Sequence, residues 1–376
     1  MPSAASLGVS ATDWVASLSL WPEEFGLERM RALLAELGDP QLRFPSIHVV
    51  GTTGKGETTR TIEETLTREG LHAGGYYSPH VSGWAERIRV GGAEADFEAT
   101  IERVREPAAE LGATQFEVLT AAALAEFAVA GVQAAAVEAG LGGRYDATNV
   151  LQSPVQALTN VGLEHTDVLG DTREAIAAEK LAVVQPGSIV CLGEPEWEEL
   201  ARANGATDVV VETGGNRALG GAAASAFLGR PVEPVAVQLP GRLEIRDGEI
   251  LDGAHTPEAV RYIAPRLPPV GAIVASILAD KDADGILREL ARLAPTFVAT
   301  RSSNPRSREA AELAALARRH FKRVETVEEP EAALVRAHEL ARSAAVLVTG
   351  SLYLLADLHA KPAAASAVGT YDGAAR

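Results

Sequence analysis

The sequence predicts an α/β fold built on mainly parallel sheets, and three observations support this prediction. Short apolar segments alternate with longer segments of helical pattern along most of the chain. The apolar segments lack the alternation typical of strands with one wet face, which indicates strands buried on both faces. Polar and glycine-rich loops directly follow several of these segments, as they do at the carboxyl ends of parallel strands.

The first half of the chain contains most of this alternation. Residues 46–50 have the pattern of a buried strand, and the glycine-rich loop after them leads into a helix predicted over residues 58–70. Further strands are predicted within residues 132–141, 155–163 and 187–194, and further helices over residues 116–131, 172–184 and 216–229. A glycine pair inside the last of these helices weakens its helical tendency.

A proline-rich segment separates this series from a second one. Residues 230–242 contain three prolines and no helical period, so we expect a linker between two domains, residues 1–236 and 237–376. Strand candidates of the second series lie within residues 249–255, 271–282, 296–307 and 344–358. The last residues, 361–376, have the composition of a loose tail.

Composition and charge narrow the class of protein. A chain of 376 residues with 47% hydrophobic residues is long enough for two packed domains. The net charge of −17 disfavours binding to nucleic acid or to an anionic membrane. No segment has the length and apolarity of a membrane span, and we see no secretory signal at the N-terminus. The single cysteine, Cys191, excludes an internal disulfide, as expected for a cytoplasmic protein.

The first functional candidate is the segment HVVGTTGKGETTR, residues 48–60. Its glycines would let backbone N–H groups approach phosphate oxygens, while Lys55 and the following helix N-terminus add positive charge. The spacing is shorter than in the common GxxxxGK[ST] loop, so a plain glycine-rich turn stays a second interpretation. Glu57 stands where a hydroxyl is usual. We expect it in the first helical turn, where the helix dipole favours an acid, with its side chain directed away from the phosphates.

Three polar side chains follow neighbouring strand candidates and together suit a magnesium ion. Ser78, Glu138 and His165 offer two oxygen donors and one nitrogen donor, and Mg²⁺ beside a phosphate needs few protein ligands. Each has a simpler interpretation as a loop serine, a strand-end acid or a structural histidine. Burying an acid at a strand end is costly, however, unless it meets a cation. Lys180 has the simpler interpretation of a solvated lysine, although an apolar run directly follows it.

The second half repeats this pattern of polar residues behind predicted strands. Asp252 and His255 follow one strand candidate, residues 280–282 follow another, and Ser351 and Tyr353 follow the last. Each is individually compatible with an ordinary turn. Together they predict a polar edge on the second sheet.

Taken in order, these motifs resemble the folylpolyglutamate synthase/dihydrofolate synthase family of the Mur ligase superfamily. The matching stretches include HVVGTTGKG, TQFEVLTAAALAEFA, VEAGLGGRYDATNV, VGLEHTDVLGDTREAIAAEK, PGRLEI, LDGAHTP and VTGSLYL, between about Gly26 and Leu358. The resemblance implies a P-loop-type ATPase domain with a mainly parallel sheet and a smaller Rossmann-like C-terminal domain. It also implies a catalytic cleft built within one chain, and therefore a monomer.

The activity that the resemblance implies is ATP-dependent addition of L-glutamate to a pteroyl or folate carboxylate. ATP phosphorylates the carboxylate of dihydropteroate or a reduced folate, and the amine of glutamate attacks the acyl phosphate. Mg²⁺, in two ions, is the implied cofactor beside ATP. Two alternatives stay open: the same chemistry on another carboxylate acceptor, and a non-catalytic nucleotide-binding homologue.

The resemblance further implies a role for residues that match the family's motifs. The implied ATP contacts are Thr52, Thr53, Gly54, Lys55, Gly56, Asn216, Arg242 and Asp252. The implied metal ligands are Ser78, Glu138, His165 and Lys180, the last as a carbamylated lysine. The implied substrate contacts are Thr114, Gln115, Phe116, Glu117, Tyr145, Asp146, Ala147, Ser351 and Tyr353. Lys55, Lys180 and His255 are the implied catalytic residues.

Several positions depart from the family's pattern. Thr53 stands in place of the usual asparagine, Glu57 in place of a serine, and Thr256 in place of an asparagine. The stretch from Gly193 to Asn216 is shorter than usual, so we expect a hairpin region to be missing. These departures bear on substrate identity more than on fold.

Overall fold

The computed structural model describes residues 9–359, which divide into two compact units. The first contains residues 9–80 and 84–239, and the second contains residues 81–83 and 240–359. The division at residues 239 and 240 falls within the predicted linker segment, which forms no helix or strand. The predicted tail, residues 361–376, lies outside the described residues.

The first unit is built on an eight-stranded sheet with the order β4-β3-β2-β5-β1-β6-β7-β8. The strands that pair in parallel run from β2 to β8 across the sheet, while β3 and β4 extend one edge in antiparallel pairing. The eight strands are β1 (Ser46–Val50), β2 (Ala73–Tyr76), β3 (Ile88–Val90), β4 (Ala93–Glu94), β5 (Ala134–Glu138), β6 (Val155–Leu158), β7 (Ile189–Leu192) and β8 (Asp208–Val211).

Helices cover both faces of this sheet. Alternate residues of β5 pack into opposite cores, Ala135 and Val137 into one and Ala134 and Ala136 into the other. This confirms the prediction of an α/β fold whose central strands are buried on both faces. The helices are α1 (Ala11–Ser17), α2 (Glu28–Glu36), α3 (Lys55–Arg68), α4 (Phe97–Glu110), α5 (Gln115–Val129), α6 (Thr166–Leu169), α7 (Arg173–Leu181), α8 (Glu198–Ala203) and α9 (Asn216–Leu228).

The glycine pair in α9 has a packing role. A Cβ on Gly220 would lie 2.8 Å from Cβ of Thr61 on α3. The two helices therefore approach closely where a larger residue would not fit, and this contact offsets the weak helical propensity of glycine. Because α9 packs on α3, its first residue, Asn216, is brought to the start of α3.

The second unit contains a six-stranded sheet with the order β13-β12-β11-β14-β10-β9. Only the edge strand β9 pairs antiparallel with its neighbour in this sheet. Its strands are β9 (Glu244–Arg246), β10 (Glu249–Leu251), β11 (Val270–Ala275), β12 (Thr296–Ala299), β13 (Arg323–Thr326) and β14 (Ala345–Thr349). Its helices are α10 (Pro257–Ile263), α11 (Ala283–Leu290), α12 (Ala310–Ala317), α13 (Pro330–Ala341) and α14 (Leu352–His359).

Two further features bear on the sequence predictions. Residues 194–215 form a short 3-10 turn, α8 and β8, with no β-hairpin among them. Among residues 9–359, no helix combines the length and apolarity that a membrane crossing requires.

Candidate functional site

The glycine-rich loop lies between β1 and α3, at the carboxyl end of a central strand. Helix α3 begins at Lys55, three residues earlier than the sequence pattern predicts, so Lys55 and Glu57 both lie in its first turn. Gly54 precedes the helix in the left-handed region, with φ of 82°. The loop therefore presents a helix N-terminus and backbone N–H groups, which together favour an anion.

Two lysines converge on this loop from different elements. Lys55 Nζ donates to the carbonyl oxygens of Gly51 and Thr52, at 2.9 and 3.3 Å. Lys180 Nζ, from α7, donates to the same Gly51 carbonyl at 2.9 Å and to Glu164 Oε1 at 2.8 Å. Because the Lys180 side chain is only 1% exposed, its interpretation as a solvated surface lysine is wrong.

The charges of this cluster shift the pKa values of its members. Burial lowers the pKa of the Lys180 ammonium, although the carboxylate of Glu164 opposes this effect. Burial would raise the pKa of Glu164, but the charges of Lys180 and Lys55 outweigh it and the pKa falls. The two lysines thus bring two positive charges to the loop, and Glu164 compensates one of them.

Asn160, which follows β6, is a loop contact that the sequence reasoning missed. Its Oδ1 accepts from Thr53 N at 3.1 Å, and its Nδ2 donates to Thr53 O at 2.9 Å and to Thr53 Oγ1 at 3.0 Å. Thr53, the residue that departs from the family's asparagine, is thereby held through both its backbone and its hydroxyl. Asn160 lies 107 residues from Thr53 in the chain.

Two of the predicted metal ligands, Ser78 and Glu138, follow the neighbouring strands β2 and β5, whereas His165 follows β6, which β1 separates from β5. Glu138 ends β5 and is 4% exposed, and its Oε2 accepts from Ser78 N, two residues beyond β2, at 3.0 Å. A Cβ on Gly56 would lie 3.5 Å from the same carboxylate oxygen, so Glu138 borders the phosphate-loop candidate. His165 precedes α6 in the left-handed region with φ of 46°.

This donor set is compatible with a magnesium ion. Glu138 supplies a hard carboxylate oxygen next to the loop, and Ser78, whose backbone N–H donates to that carboxylate, carries a hydroxyl. Among residues 9–359, no three His, Cys, Asp or Glu side chains group closely enough to hold a metal by themselves. An ion here would therefore depend on phosphate oxygens and water for most of its coordination, as Mg²⁺ commonly does.

The start of α9 meets the start of α3 at the loop. Asn216 Nδ2 donates to Glu57 Oε2 at 2.8 Å, and Asn216 O accepts from Thr58 Oγ1 at 3.4 Å. A Cβ on Gly54 would lie 2.3 Å from Asn216 Oδ1, so the amide lies directly against the loop. Glu57 is thus in the first turn of α3, as expected, and its direction relative to bound phosphates stays a prediction.

The candidate substrate contacts on α5 divide into two kinds. Thr114 and Glu117 form a capping box, and Glu117 Oε2 also accepts from Arg29 Nε at 2.8 Å. Their polar groups are therefore used to fix the N-terminus of α5. The Phe116 ring instead lies against Gly140, whose Cβ would be 2.5 Å from Cζ. This close approach explains why position 140 is a glycine.

The other candidates near β5 also differ in their surroundings. Tyr145 is 53% exposed, whereas Asp146 and Ala147 are buried. Asp146 accepts from the backbone N–H groups of Leu141 and Thr148, at 2.7 and 3.0 Å, and burial raises its pKa. Asp146 therefore orders the loop, and the exposed Tyr145 ring is the better placed of the two for contact with a ligand. On α5, Gln115 Nε2 donates to Val15 O at 2.9 Å.

The second unit has its own group of polar residues at the carboxyl ends of β10 and β14. Asp252 accepts from the N–H groups of Leu243 and Ala254, both at 2.9 Å. Burial raises the pKa of Asp252 against the opposing charge of Arg242. His255 Nδ1 lies 2.8 Å from Gly253 O.

Two hydrogen bonds to one backbone carbonyl join these strand ends. Ala254 O accepts from Gly350 N at 3.0 Å and from Thr349 Oγ1 at 3.2 Å, which brings the His255 and Ser351 segments together. Ser351 Oγ accepts from Tyr353 N at 3.1 Å. Thr256 caps α10 through Ala259 N at 3.2 Å. Threonine can cap a helix as asparagine does, so this departure preserves the local fold.

Comparison with known proteins places this fold in a class of protein, the Mur-type ligases. A family model described as "Mur ligase, glutamate ligase domain" matches residues 241–352. The structure is also similar to the folylpolyglutamate synthase of Mycobacterium tuberculosis solved with ADP, with a TM-score of 0.83 and 29% identity over 91% of this chain and 95% of that one. An Escherichia coli relative solved with DHPP and ADP matches with a TM-score of 0.81 and 27% identity over 93% and 97% of the two chains.

Curated relatives identify the family more closely. The dihydrofolate synthase/folylpolyglutamate synthase of Mycobacterium tuberculosis is 30% identical over 82% of both chains. The protein of the same name from Escherichia coli is 31% identical over 83% of this chain and 86% of its own. The chain belongs to the dihydrofolate synthase/folylpolyglutamate synthase family. The family, the fold and the ligase class expected from the sequence are thereby confirmed.

Proposed function

We propose that this protein is an ATP-dependent ligase that joins L-glutamate to the carboxylate of dihydropteroate, of a reduced folate, or of both. The observation that carries the proposal is the arrangement of Lys55, Lys180 and Glu138 around one glycine-rich loop at the carboxyl end of β1. Its support from relatives is the Escherichia coli structure with DHPP and ADP, at 27% identity over most of the chain.

The proposed reaction has two steps. The acceptor carboxylate attacks the γ-phosphorus of ATP, which releases ADP and leaves an acyl phosphate. The amine of glutamate then attacks the acyl carbon, inorganic phosphate leaves, and the amine loses a proton. Residues 52–56 would hold the phosphates, and Lys55 would turn from the Gly51 and Thr52 carbonyls towards the transferred group.

The residues proposed for metal binding are Ser78, Glu138 and His165, with Lys180 for a second ion. The solved Yersinia pestis relative with AMPPNP and Mn ion, at 28% identity, supports a divalent ion beside the nucleotide. Such an ion would stabilise the negative charge that develops on the phosphate oxygens during phosphoryl transfer. We propose that Lys180 is carbamylated, as the resemblance implies, and its burial beside the loop supports this because burial lowers the pKa of its ammonium and so favours the neutral amine that reacts with CO₂.

The remaining assignments follow the resemblance and the positions in each unit. Arg242, Asp252 and Asn216 would contact ATP, and His255 would act near the reacting groups, with Ser351 and Tyr353 near glutamate. Thr114 to Glu117 and Tyr145 to Ala147 would line the acceptor side, with Phe116 and Tyr145 making direct contact. We also propose that the protein is a monomer in the cytoplasm. Its single cysteine, Cys191, is buried, and burial raises the pKa of its thiol to about 12, so it offers no disulfide to a partner chain.

The test is an acceptor screen with product masses. Purified protein with Mg²⁺ and ATP is given dihydropteroate or a reduced folate, each with and without glutamate. We expect phosphate release that requires both acceptor and glutamate, and a product heavier by one glutamyl residue or more. Turnover only with another carboxylate would identify a different acceptor. Tight ATP binding with no turnover on any acceptor would indicate a non-catalytic homologue.

A further inference from the structure

The side chain of Glu57 fixes the orientation of an amide that lies on the nucleotide loop. Asn216 Nδ2 donates to Glu57 Oε2 at 2.8 Å, and both residues are partly buried. A carboxylate oxygen accepts hydrogen bonds and does not donate them, whereas either end of an amide is similar in shape. The contact therefore requires the amide nitrogen to face Glu57 and the amide oxygen, Oδ1, to face another direction.

The fixed amide oxygen lies against the loop that the proposed function assigns to ATP. Oδ1 is the amide atom nearest to Gly54, at 2.3 Å from the position of a Cβ there, and only glycine allows this approach. The triphosphate of ATP carries only acceptor oxygens at neutral pH. Oδ1 would repel these oxygens, so its suitable partner is a hydrogen-bond donor. The donors of ATP are the exocyclic amine of adenine and the ribose hydroxyls.

We propose that Glu57 is a positioning residue for nucleotide selection, which acts by holding Asn216 with its amide oxygen towards a donor of the nucleoside. This inference rests on the proposed function, because it assumes that ATP occupies the loop between β1 and α3. It gives a role to the acid that stands where the family has serine. It also separates Glu57 from the phosphates, since its carboxylate is engaged on the α9 side of the loop.

The experiment measures Kd values for Mg²⁺ complexes of four nucleotides, without acceptor or glutamate. ITP replaces the adenine amine with an oxygen, and 2′-deoxy-ATP and 3′-deoxy-ATP each lack one hydroxyl. We expect the unsubstituted protein to prefer ATP over one of these analogues by about tenfold, the value of one hydrogen bond. That analogue identifies the donor. Glu57→Ala and Asn216→Ala should reduce this ratio towards one.

Two variants separate orientation from charge. Glu57→Gln loses the same charge as Glu57→Ala but retains an oxygen that can accept from Asn216 Nδ2, so it should keep more of the selectivity. Glu64→Gln removes a carboxylate further along α3, where Glu64 pairs with Arg89 at 3.2 Å, and should leave the ratio unchanged. In an Asn216→Ala background, Glu57→Ala should have no further effect on the ratio.

The outcomes distinguish this inference from the proposed function. Binding of ATP with equal affinity ratios in the unsubstituted protein, Glu57→Ala and Asn216→Ala would overturn the role of Glu57 and leave the ligase proposal intact. Uniform weakening of all four nucleotides in both variants would do the same, since it indicates a structural contact only. Failure of the unsubstituted protein to bind any nucleotide would overturn the proposed function together with this inference.

Discussion

Lys55 and Lys180 donate to one shared acceptor, the carbonyl oxygen of Gly51, each at 2.9 Å. Two ammonium groups on a single carbonyl repel each other, and the charge of Lys55 contributes to the lowered pKa of Lys180 after burial. The two lysines nevertheless have different surroundings. Lys180 is buried and paired with the carboxylate of Glu164. Lys55 instead donates to two backbone carbonyls of its own loop, those of Gly51 and Thr52.

We expect replacement of the two lysines by methionine to affect different steps, nucleotide binding for Lys55 and turnover for Lys180. Methionine keeps most of the side-chain length without the charge. Lys55→Met should raise the Kd for Mg²⁺–ATP about tenfold or more, because a direct phosphate contact is lost. Lys180→Met should lower kcat at least a hundredfold with a smaller effect on Kd. Calorimetric binding and ADP release measure the two quantities. Near-normal turnover of Lys180→Met would contradict a carbamylated ligand at this position.

Glu138 provides the sharpest test of the metal assignment. Glu138→Gln preserves the shape and an oxygen that can accept from Ser78 N, while it removes the charge that a divalent ion needs. We expect turnover to fall at least a hundredfold, and the Mg²⁺ concentration for half-maximal activity to rise, with the melting temperature nearly unchanged. Glu138→Ala and His165→Ala should also abolish turnover in a folded protein.

The matched control for this loss of charge is Glu36→Gln, on the exposed face of α2. It should leave both turnover and Mg²⁺ dependence unaltered. If Glu138→Gln retained half of the normal turnover at every Mg²⁺ concentration, Glu138 would be a structural acid that orders Ser78. A large drop in melting temperature in Glu138→Gln would have the same meaning.

Asn160 should control the phosphate loop through Thr53. Asn160→Ala removes four hydrogen bonds to Thr53, two to its backbone and two to its hydroxyl. Thr53→Ala removes only the hydroxyl contacts and leaves the backbone ones in place. We therefore expect KM for ATP to rise about tenfold in Asn160→Ala and distinctly less in Thr53→Ala, with little change in KM for glutamate. Equal effects of the two substitutions would show that the hydroxyl alone matters.

The fold and the site could be predicted from the sequence where the residues concerned lie close together in the chain. The glycines, Lys55 and the helix after them lie within one short stretch, and buried runs such as residues 46–50 and 134–138 lack the polar alternation of an exposed strand. The parallel sheet and its polar carboxyl edge follow from such segments. The strands β3, β4, β8, β9 and β13, at or beside the sheet edges, were not predicted. Four of them carry no continuous apolar run, whereas β8 contains three valines at residues 209–211 that were overlooked.

Contacts between distant parts of the chain were not accessible to the same reasoning. Asn160 and Thr53 are 107 residues apart, and Asn216 and Glu57 are 159 apart. A polar residue in a loop belongs to no periodic pattern from which its partner could be predicted. Asn216 and Glu57 meet only because α9 packs on α3. For the same reason the sequence could not tell that Glu117 and Asp146 use their carboxylates to fix the backbone.

His48, in the middle of β1, should make stability depend on pH. It is 1% exposed, its Nε2 lies 2.8 Å from Thr148 Oγ1, and burial lowers its pKa from 6.5 to about 4. Between these two values the unfolded chain binds a proton that the folded protein does not. The contribution of His48 to the free energy of unfolding is therefore fully present above pH 6.5 and is lost as pH falls towards 4. At 1.36 kcal/mol per pKa unit, the loss is at most about 3 kcal/mol.

We expect His48→Gln to reveal this contribution, because glutamine can keep the contact with Thr148 but does not titrate. At pH 7.5 the variant should be less stable than the unsubstituted protein by about 1 kcal/mol, since the ring packs better in the core. At pH 4.5 the variant should be the more stable of the two. Other titrating groups, such as Asp146, affect both proteins and largely cancel in the difference. Urea unfolding at several pH values measures the difference in free energy of unfolding between the two proteins. If this difference stayed constant from pH 7.5 to 4.5, His48 would not titrate in this window.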